Sequence, residues 1–406
     1  MITLEEAQAI VLAGTDPKAP AEFAVADALG LILAEDVAAA ESVPPFRNSA
    51  MDGYAVHEAD VAGADADHPV RLAVIGTAAA GRAADQVVGR GEALRIMTGA
   101  PFPNGADAIA IVENTRTDGT TVEVLAPSVA GRHIRAAGED VTAGQEVFAA
   151  GARLGPGHLG VLCSVGCQRI SAVPRPVVGV LSTGDELVEG PGQLAPGQIR
   201  DSNRRTLISL LTRDGFTAVD LGIARDDESV IELALTGAAA SCDAILTSGG
   251  VSMGDFDYVK AVLDRIGRMQ WMQIAIRPAK PFAFGVIGGT PVFGLPGNPV
   301  SSMVSYELLA RPGLRQMAGM AAGELHRRPL PGIVDDDGWR AGRDGRTGYV
   351  RVVSRFDDEG RLRVTSAGGQ GSHQLYAMAQ ADALAVAPPG VDVGRGDTVS
   401  VLRLTP

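Results

Sequence analysis

The sequence predicts a multidomain α/β and β protein, and three observations carry that reading. From Pro176 to about residue 325, strand-like apolar runs alternate with helical stretches, which implies a mainly parallel sheet with ligands at its strand C-termini. From 44 to 132, short β-like runs broken by Gly and Pro sit between flanks of helical character. From 326 the tail is strand-rich again, as a small β-barrel would be. The expected division is a split helical domain over 1–43 and 133–174, an inserted β domain over 44–132, an α/β domain over 175–325 and a C-terminal β domain over 326–406.

Each element has a local reason. Residues 3–13 and 21–39 carry Ala and Leu at helical spacing and read as helix-rich. After ESVPPF come RLAVIG, EALRIMTG, DAIAIVEN and TVEVLA, each short and bounded by breakers. In the α/β region PVVGVLS, FTAVDLG, DAILTS, WMQIAI, PFAFGVI and PVFGL read as strands. Asp201-Ser202-Asn203 offers N-caps for a helix to about Arg213, and DDESVIELALTGAAA and DFDYVKAVLDRI read as the next two helices. Asn298 can cap a further helix with Pro299 at its first position, running to about Ala310. GYVRVVSRF, RLRVTS and DTVSVLRL supply strands of the tail.

Composition narrows the function. A net charge of −13 argues against a nucleic-acid or membrane partner, since both want a basic face. Apolar residues make up 46%, enough for several cores, yet no run approaches the roughly 20 residues that span a bilayer. The opening MITLEEAQAIVLAG lacks a basic n-region, so no signal peptide is expected and the compartment is expected to be the cytoplasm. Three cysteines (Cys163, Cys167, Cys242) do not suggest a disulfide framework, and the six histidines show no metal-ligand spacing. Only three lysines occur, Lys18, Lys260 and Lys280, and two of them fall in the motif-rich segment 243–302.

That segment holds most of the chemistry. DAILTSGGVSMGDFDYVK, IRPAKPFAFG and VFGLPGNPVSS bring glycine turns, carboxylates (Asp255, Asp257) and cations (Lys260, Arg277, Lys280) into sixty residues. Four loops are expected at one edge of the sheet. Loop one, Ser182–Glu186, places two carboxylates just past a strand. Loop two, Asp226-Asp227, opens a helix, where the macrodipole alone would favour acids. Loop three, Thr247–Gly254, has three glycines and three hydroxyls in eight residues and suits a phosphate cradle. Loop four, Pro296-Gly297-Asn298-Pro299, presents a bare helix N-terminus, with simple capping as the alternative. Neither GxGxxG nor GxxxxGK[ST] occurs. Carboxylates beside phosphate-binding backbone suggest Mg²⁺, which takes one or two carboxylates plus substrate oxygens. Asn48–Val56 and Ile96–Pro101 are weaker strings in the β region.

Together these strings resemble the molybdopterin molybdenumtransferase family, MoeA and the E domain of gephyrin. The matching stretches are PPFRNSAMDGYAV, IMTGAPFPNGADAIAIVE, GVLSTGDELV, GQIRDSNR, LTSGGVSMGDFDYVK, RPAKPFAFG, GLPGNPVSS, GRTGYVR and GGQGSHQLYAMAQADAL. The α/β segment alone also resembles the MoaB/Mog adenylyltransferases, which implies a MoaB/Mog-like α/β domain. The family resemblance implies molybdenum insertion into molybdopterin, from molybdopterin adenylate and molybdate with a divalent cation, Mg²⁺, releasing AMP. It implies an elongated homodimer whose cleft lies between the α/β domain of one subunit and the inserted β domain of the other, with an adenylyltransferase and an apo-molybdoenzyme as partners. It places Asp52, Thr98, Glu186, Asp226, Asp257 and Lys280 in the catalytic site, with Glu186 and Asp257 around the metal. Ser248, Gly249, Gly250 and Ser252 would hold the adenylate phosphates. Arg277, Lys280 and Pro296, Gly297, Asn298 and Pro299 would frame the oxyanion, and Asp140 also matches.

Three positions depart from the family pattern. Arg277 stands where Lys is common, with Ala279 in place of Gly, and Asp255 stands where Glu is usual. The alternative reading is a gephyrin-like scaffold that binds peptide tails of partner proteins, with or without the chemistry. A paralogue specialised for tungstate is a third.

Overall fold

The computed structural model describes residues 1–82, 85–250, 258–340 and 342–405. Ser252, Asp255 and Asp257, all singled out above, lie outside the described residues. The chain divides into two units, one formed by Met1–Ala21, Gly30–Ile32 and Ala172–Pro406, the other by Glu22–Leu29 and Leu33–Ser171.

The first unit opens with helix α1 (Leu4–Ala13), started by a capping box in which Thr3 and Glu6 exchange backbone-to-side-chain hydrogen bonds of 2.8 and 3.1 Å. Its apolar stripe, Ala7 and Val11, is buried in the core of this unit. Strand β1 (Val177–Thr183), helix α2 (Asn203–Arg213), β2 (Thr217–Ala224), α3 (Glu228–Ser241), β3 (Ala244–Ser248), α4 (Tyr258–Ile266), β4 (Arg268–Gln273), β5 (Pro281–Ile287), β6 (Thr290–Leu295) and α5 (Pro299–Ser305) follow in order. The sheet order is β2-β1-β3-β6-β5-β4. Its first four strands are parallel to their neighbours, while β5 runs antiparallel to β6 and β4 to β5. Val178, Val180, Leu246 and Phe293 are fully buried, as strands covered on both faces require. Helix α5 does not stop near Ala310: it passes through a π-helical turn at Tyr306–Ala310 into a further helix, Arg311–Met317.

The tail closes into a five-stranded barrel. Thr347–Phe356 pairs with Leu362–Ser366 and Ala383–Ala387, and the ring is completed through Thr398–Arg403 and Pro329–Val334. Ile276–Arg277, two residues ahead of Ala279, adds to this barrel beside Thr347 and Gly348.

The second unit carries a six-stranded sheet ordered Ala108–Ile111, Gly53–Val56, Glu92–Ile96, Val70–Ala78, Thr121–Val124, Thr115–Thr117. Both faces are covered: Tyr54 and Val56 enter one apolar cluster, Ala55 the other. Beside this sheet Val37–Ala38 pairs with Glu146–Phe148, and Val43 bridges to Val141. The helix-rich reading of 21–39 is corrected, since that stretch forms strands Ala21–Ala24, Ile32–Leu33 and Val37–Ala38 around a 3-10 turn at Val25–Asp27. Pairing with distant strands outweighs the helix propensity of its Ala and Leu, and Gly30 at φ +81° interrupts any helix. Between 133 and 174 the one α-helix is Pro156–Ser164.

Candidate active site at the C-terminal edge of the α/β sheet

Because β1, β2, β3 and β6 are parallel, the loops that follow them share one edge of the sheet. Hydrogen bonds stitch these loops to one another. Loops one and two exchange a reciprocal pair, Asp185 N–H to Asp226 Oδ2 at 3.4 Å and Asp226 N–H to Asp185 Oδ1 at 3.2 Å. Loop one is tied back through Gly184 N–H to Ala224 O at 3.2 Å. Asp227 caps α3, accepting from the N–H of Ser229 and Val230, so the capping reading of loop two holds for that residue.

Loops three and four meet more closely. Gly249 N–H donates to Leu295 O at 3.0 Å, and a Cβ built on Gly297 would lie 3.8 Å from Gly249 Cα. Gly250 has φ +71°, and a Cβ there would fall 2.3 Å from Val259 Cβ, so no other residue fits without displacing α4. Asn203, at the first turn of α2, bridges the two loops, its Nδ2 donating to Ser248 Oγ at 2.8 Å and to Gly297 O at 2.6 Å.

A buried ion network lies behind Asn203. Arg204 and Asp201 side chains are each 2% exposed and pair at 2.9 Å, while Arg204 also binds Glu189 at 2.9 Å and Asp220. Burial alone would lower the Arg204 pKa, but the three carboxylates hold it raised. Asp201 Oδ1 accepts from Ser182 Oγ at 3.1 Å, which couples this network to the end of β1.

The antiparallel register of β5 on β6, with Ala283 opposite Gly294, carries Lys280 and Pro281 to the level of loop four. Lys280 is half-buried and Arg277 exposed, and neither forms an ion pair among the described residues. Between them the Arg277–Pro278 peptide is cis and Ala279 sits at φ +75° with 2% exposure. Lys260 is placed elsewhere, over the ring of Trp271 at 5.4 Å. The helix terminus at loop four, expected from sequence to be bare, is partly occupied: Val300 N–H donates to Ser372 O at 3.1 Å, while Asn298 makes no side-chain cap.

Sequence reasoning missed two residues here. Asn203 was read only as a helix cap, although its place after Asp201 in GQIRDSNR was the available signal. Arg351, in GRTGYVR, is fully buried, with Nη2 donating to Gly369 O at 2.6 Å and Gly371 O at 3.2 Å. Among the described residues its Nε and Nη1 have no partner, and burial lowers its pKa. The loop that holds it is bonded to the start of α5 through Ser372.

For Mg²⁺ the donor chemistry fits in one way. Asp185 and Asp226 are neighbours and Glu186 folds over Gly184, but no group of three or more His, Cys, Asp or Glu is arranged for a metal among the described residues. Such a donor set suits an ion completed by substrate oxygens and water rather than one caged by protein alone.

In the second unit, Asp52 ends the turn before Gly53–Val56 and Thr98 follows Glu92–Ile96. Gly53 pairs with Ile96, which brings the two together. Asp52 Oδ1 accepts from both the N–H and the Oγ of Thr98, each at 2.7 Å. The backbone bond first, and the hydroxyl second, hold the Asp52 pKa below its ordinary value. A Cβ on Gly53 would lie 2.2 Å from Ala110 O, which explains the Asp-Gly pair. Asp140 is exposed, and its carboxylate accepts no hydrogen bond among the described residues.

Residues 2–166 match the model described as MoeA N-terminal region (domain I and II), 179–316 the probable molybdopterin binding domain, and 340–404 the MoeA C-terminal region (domain IV). A molybdopterin molybdenumtransferase of Haemophilus influenzae is 36% identical over 407 residues, covering 99% of this chain and 98% of the relative. Molybdopterin molybdenumtransferase 2 of Mycobacterium tuberculosis is 36% identical over 415 residues, with both chains covered in full. Among solved structures, a molybdopterin biosynthesis MoeA protein of Pyrococcus horikoshii superposes with a TM-score of 0.81 at 30% identity, covering 100% of each chain.

Proposed function

This chain belongs to the molybdopterin molybdenumtransferase family, and we propose that it inserts molybdenum from molybdate into adenylated molybdopterin, releasing AMP. The observation that carries the proposal is the sheet edge, where loop one is bonded to loop two, Asn203 ties loop three to loop four, and Lys280 lies level with loop four. A preorganised set of donors aimed at anions is what a transfer between phosphate and oxyanion needs.

In this reading Ser248, Gly249 and Gly250, with Ser252, hold the adenylate phosphates. Arg277 and Lys280 hold molybdate beside Pro296–Pro299, and Arg351 adds positive potential. On a chain of net charge −13, these cations offset the repulsion between two anionic substrates. Glu186, Asp226 and Asp257 would hold Mg²⁺ together with substrate oxygens. When bound, that ion supplies neutralisation of charge on the phosphoryl oxygens as AMP departs. Asp52, Thr98 and Asp140 complete the proposed set of site residues. A homodimer, an adenylyltransferase donor and an apo-molybdoenzyme acceptor belong to the same proposal, as does the division into domains at about 44, 133, 175 and 326. No helix among the described residues is long and apolar enough to cross a membrane.

The test is AMP release from purified molybdopterin adenylate with Mg²⁺, with and without micromolar molybdate. Molybdate-dependent release, with a product that activates an apo-molybdoenzyme, is expected. Tight adenylate binding without release would overturn the transferase reading. Asp257→Asn should abolish release while leaving the melting temperature unchanged, and wild-type release by that variant would remove Asp257 from the mechanism.

A further inference from the structure

Asn203 does more than hold two loops together. The Gly297 carbonyl can only accept, so the amide face at 2.6 Å from it must be the NH₂ group, and the same nitrogen lies 2.8 Å from Ser248 Oγ. Ser248 Oγ therefore acts as an acceptor toward Asn203. A serine hydroxyl carries one hydrogen and two lone pairs, so with a lone pair engaged its hydrogen is left for another group. Among the described residues no acceptor receives that hydrogen, although Ser248 is only 3% exposed.

The second bond has a parallel consequence. In a trans peptide the C=O of Gly297 and the N–H of Asn298 point in opposite directions. Holding the carbonyl toward Asn203 turns the Asn298 N–H away from it, and among the described residues that N–H meets no acceptor. Asn203 is itself fixed from behind: its neighbour Arg204 is locked by Asp201, Asp220 and Glu189, and Asp201 also receives the N–H of Arg204 at 3.2 Å.

We propose that Asn203 is a positioning residue that turns the Ser248 hydroxyl and the Asn298 N–H into hydrogen-bond donors for an anionic phosphate group of the substrate. The inference rests on the functional reading above and assigns a role that does not require Asn203 to touch the substrate. It makes Ser248 a donor in the bound state, and makes the effect of Asn203 depend on Ser248.

A double-mutant cycle tests this, using the full-length protein, AMP as the binding probe and molybdopterin adenylate as substrate. Loss of a hydrogen bond to a charged group corresponds to about 10- to 100-fold, so Asn203→Ala should raise the KM for adenylate and the Kd for AMP by that factor. The melting temperature and kcat should change little, because a positioning role falls on ground-state binding of the anion. Ser248→Ala should give part of that loss, and the double variant should lie within about threefold of Asn203→Ala rather than multiplying the two losses. Asn203→Asp keeps the shape but removes the NH₂ donors, and it should lose at least as much as Asn203→Ala. It also serves if Asn203→Ala does not fold.

Multiplicative losses would overturn the dependence on Ser248, and a near wild-type Kd for AMP in Asn203→Asp would overturn the role altogether. A wild-type protein that neither binds AMP nor releases it would overturn the functional reading, and this assignment with it. A wild type that does both, beside unaffected variants, would sink the assignment alone.

Discussion

The two acidic sites of this protein are built in opposite ways. At the α/β sheet edge, residues drawn from 182 to 300 are held by bonds between loops and by a buried Arg204–Asp201 pair that reaches loop one through Ser182. At the end of the inserted sheet, Asp52 and Thr98 form a self-contained pair on the surface, positioned by one strand register. The first arrangement depends on its support, so damage behind the loops should travel to the site. The second depends on two residues, so substitution there should change charge and activity while sparing stability.

The largest expected effect follows from that contrast. Arg204→Met leaves Asp201 buried without its cation, which costs about 3–5 kcal/mol for a broken buried pair. A matching fall in melting temperature and loss of AMP release should be seen together. Should activity survive that destabilisation, the network does not support the site. Gly250→Ala comes next: the left-handed backbone costs about 1–2 kcal/mol and the clash with Val259 about 1–3. Reduced melting temperature with weakened AMP binding would sharpen the view that loop three is held rigidly against α4.

For the surface pair the prediction is electrostatic. With its pKa held down by Thr98, Asp52 stays ionised at pH values where an ordinary carboxyl of pKa 3.8 begins to protonate. The stability it contributes is present above that ordinary value and disappears as pH falls through the lower folded value. Thr98→Val removes one donor and should raise the Asp52 pKa toward 3.8, read from its side-chain carboxyl shift in NMR, with a slight fall in melting temperature at neutral pH that fades as pH drops through the folded value. An unmoved pKa would mean that the backbone bond alone sets it.

The smallest effect is expected at Ala279. Glycine would relieve a left-handed strain of about 1–2 kcal/mol, but it loses a buried methyl worth about 0.8 and adds unfolded-state entropy. Ala279→Gly should therefore change stability by less than about 1 kcal/mol. A larger gain would show that the Arg277–Lys280 turn is under more strain than its neighbours can balance.

Much of this was legible in the sequence, for physical reasons that differ by region. Alternating buried strands and amphipathic helices announced the α/β sheet, and with it the shared edge for loops one to four, because parallel strands leave no other arrangement. The segment 21–39 was misread, since Ala and Leu speak for a helix until pairing with strands more than a hundred residues away decides otherwise. Asn203 and Arg351 were missed because their roles come from tertiary contacts: an amide looks like a cap, and a lone arginine in a strand looks like surface. Asp52 and Thr98 came from family resemblance, and only the register of Gly53 on Ile96 shows why they meet.

The most direct test of the central claim is a crystal structure of the protein with AMP bound. The account predicts the phosphate at the α/β sheet edge, within hydrogen-bond distance of the Ser248 hydroxyl and the Gly249–Gly250 backbone. A nucleotide bound elsewhere, with that edge empty, would contradict it.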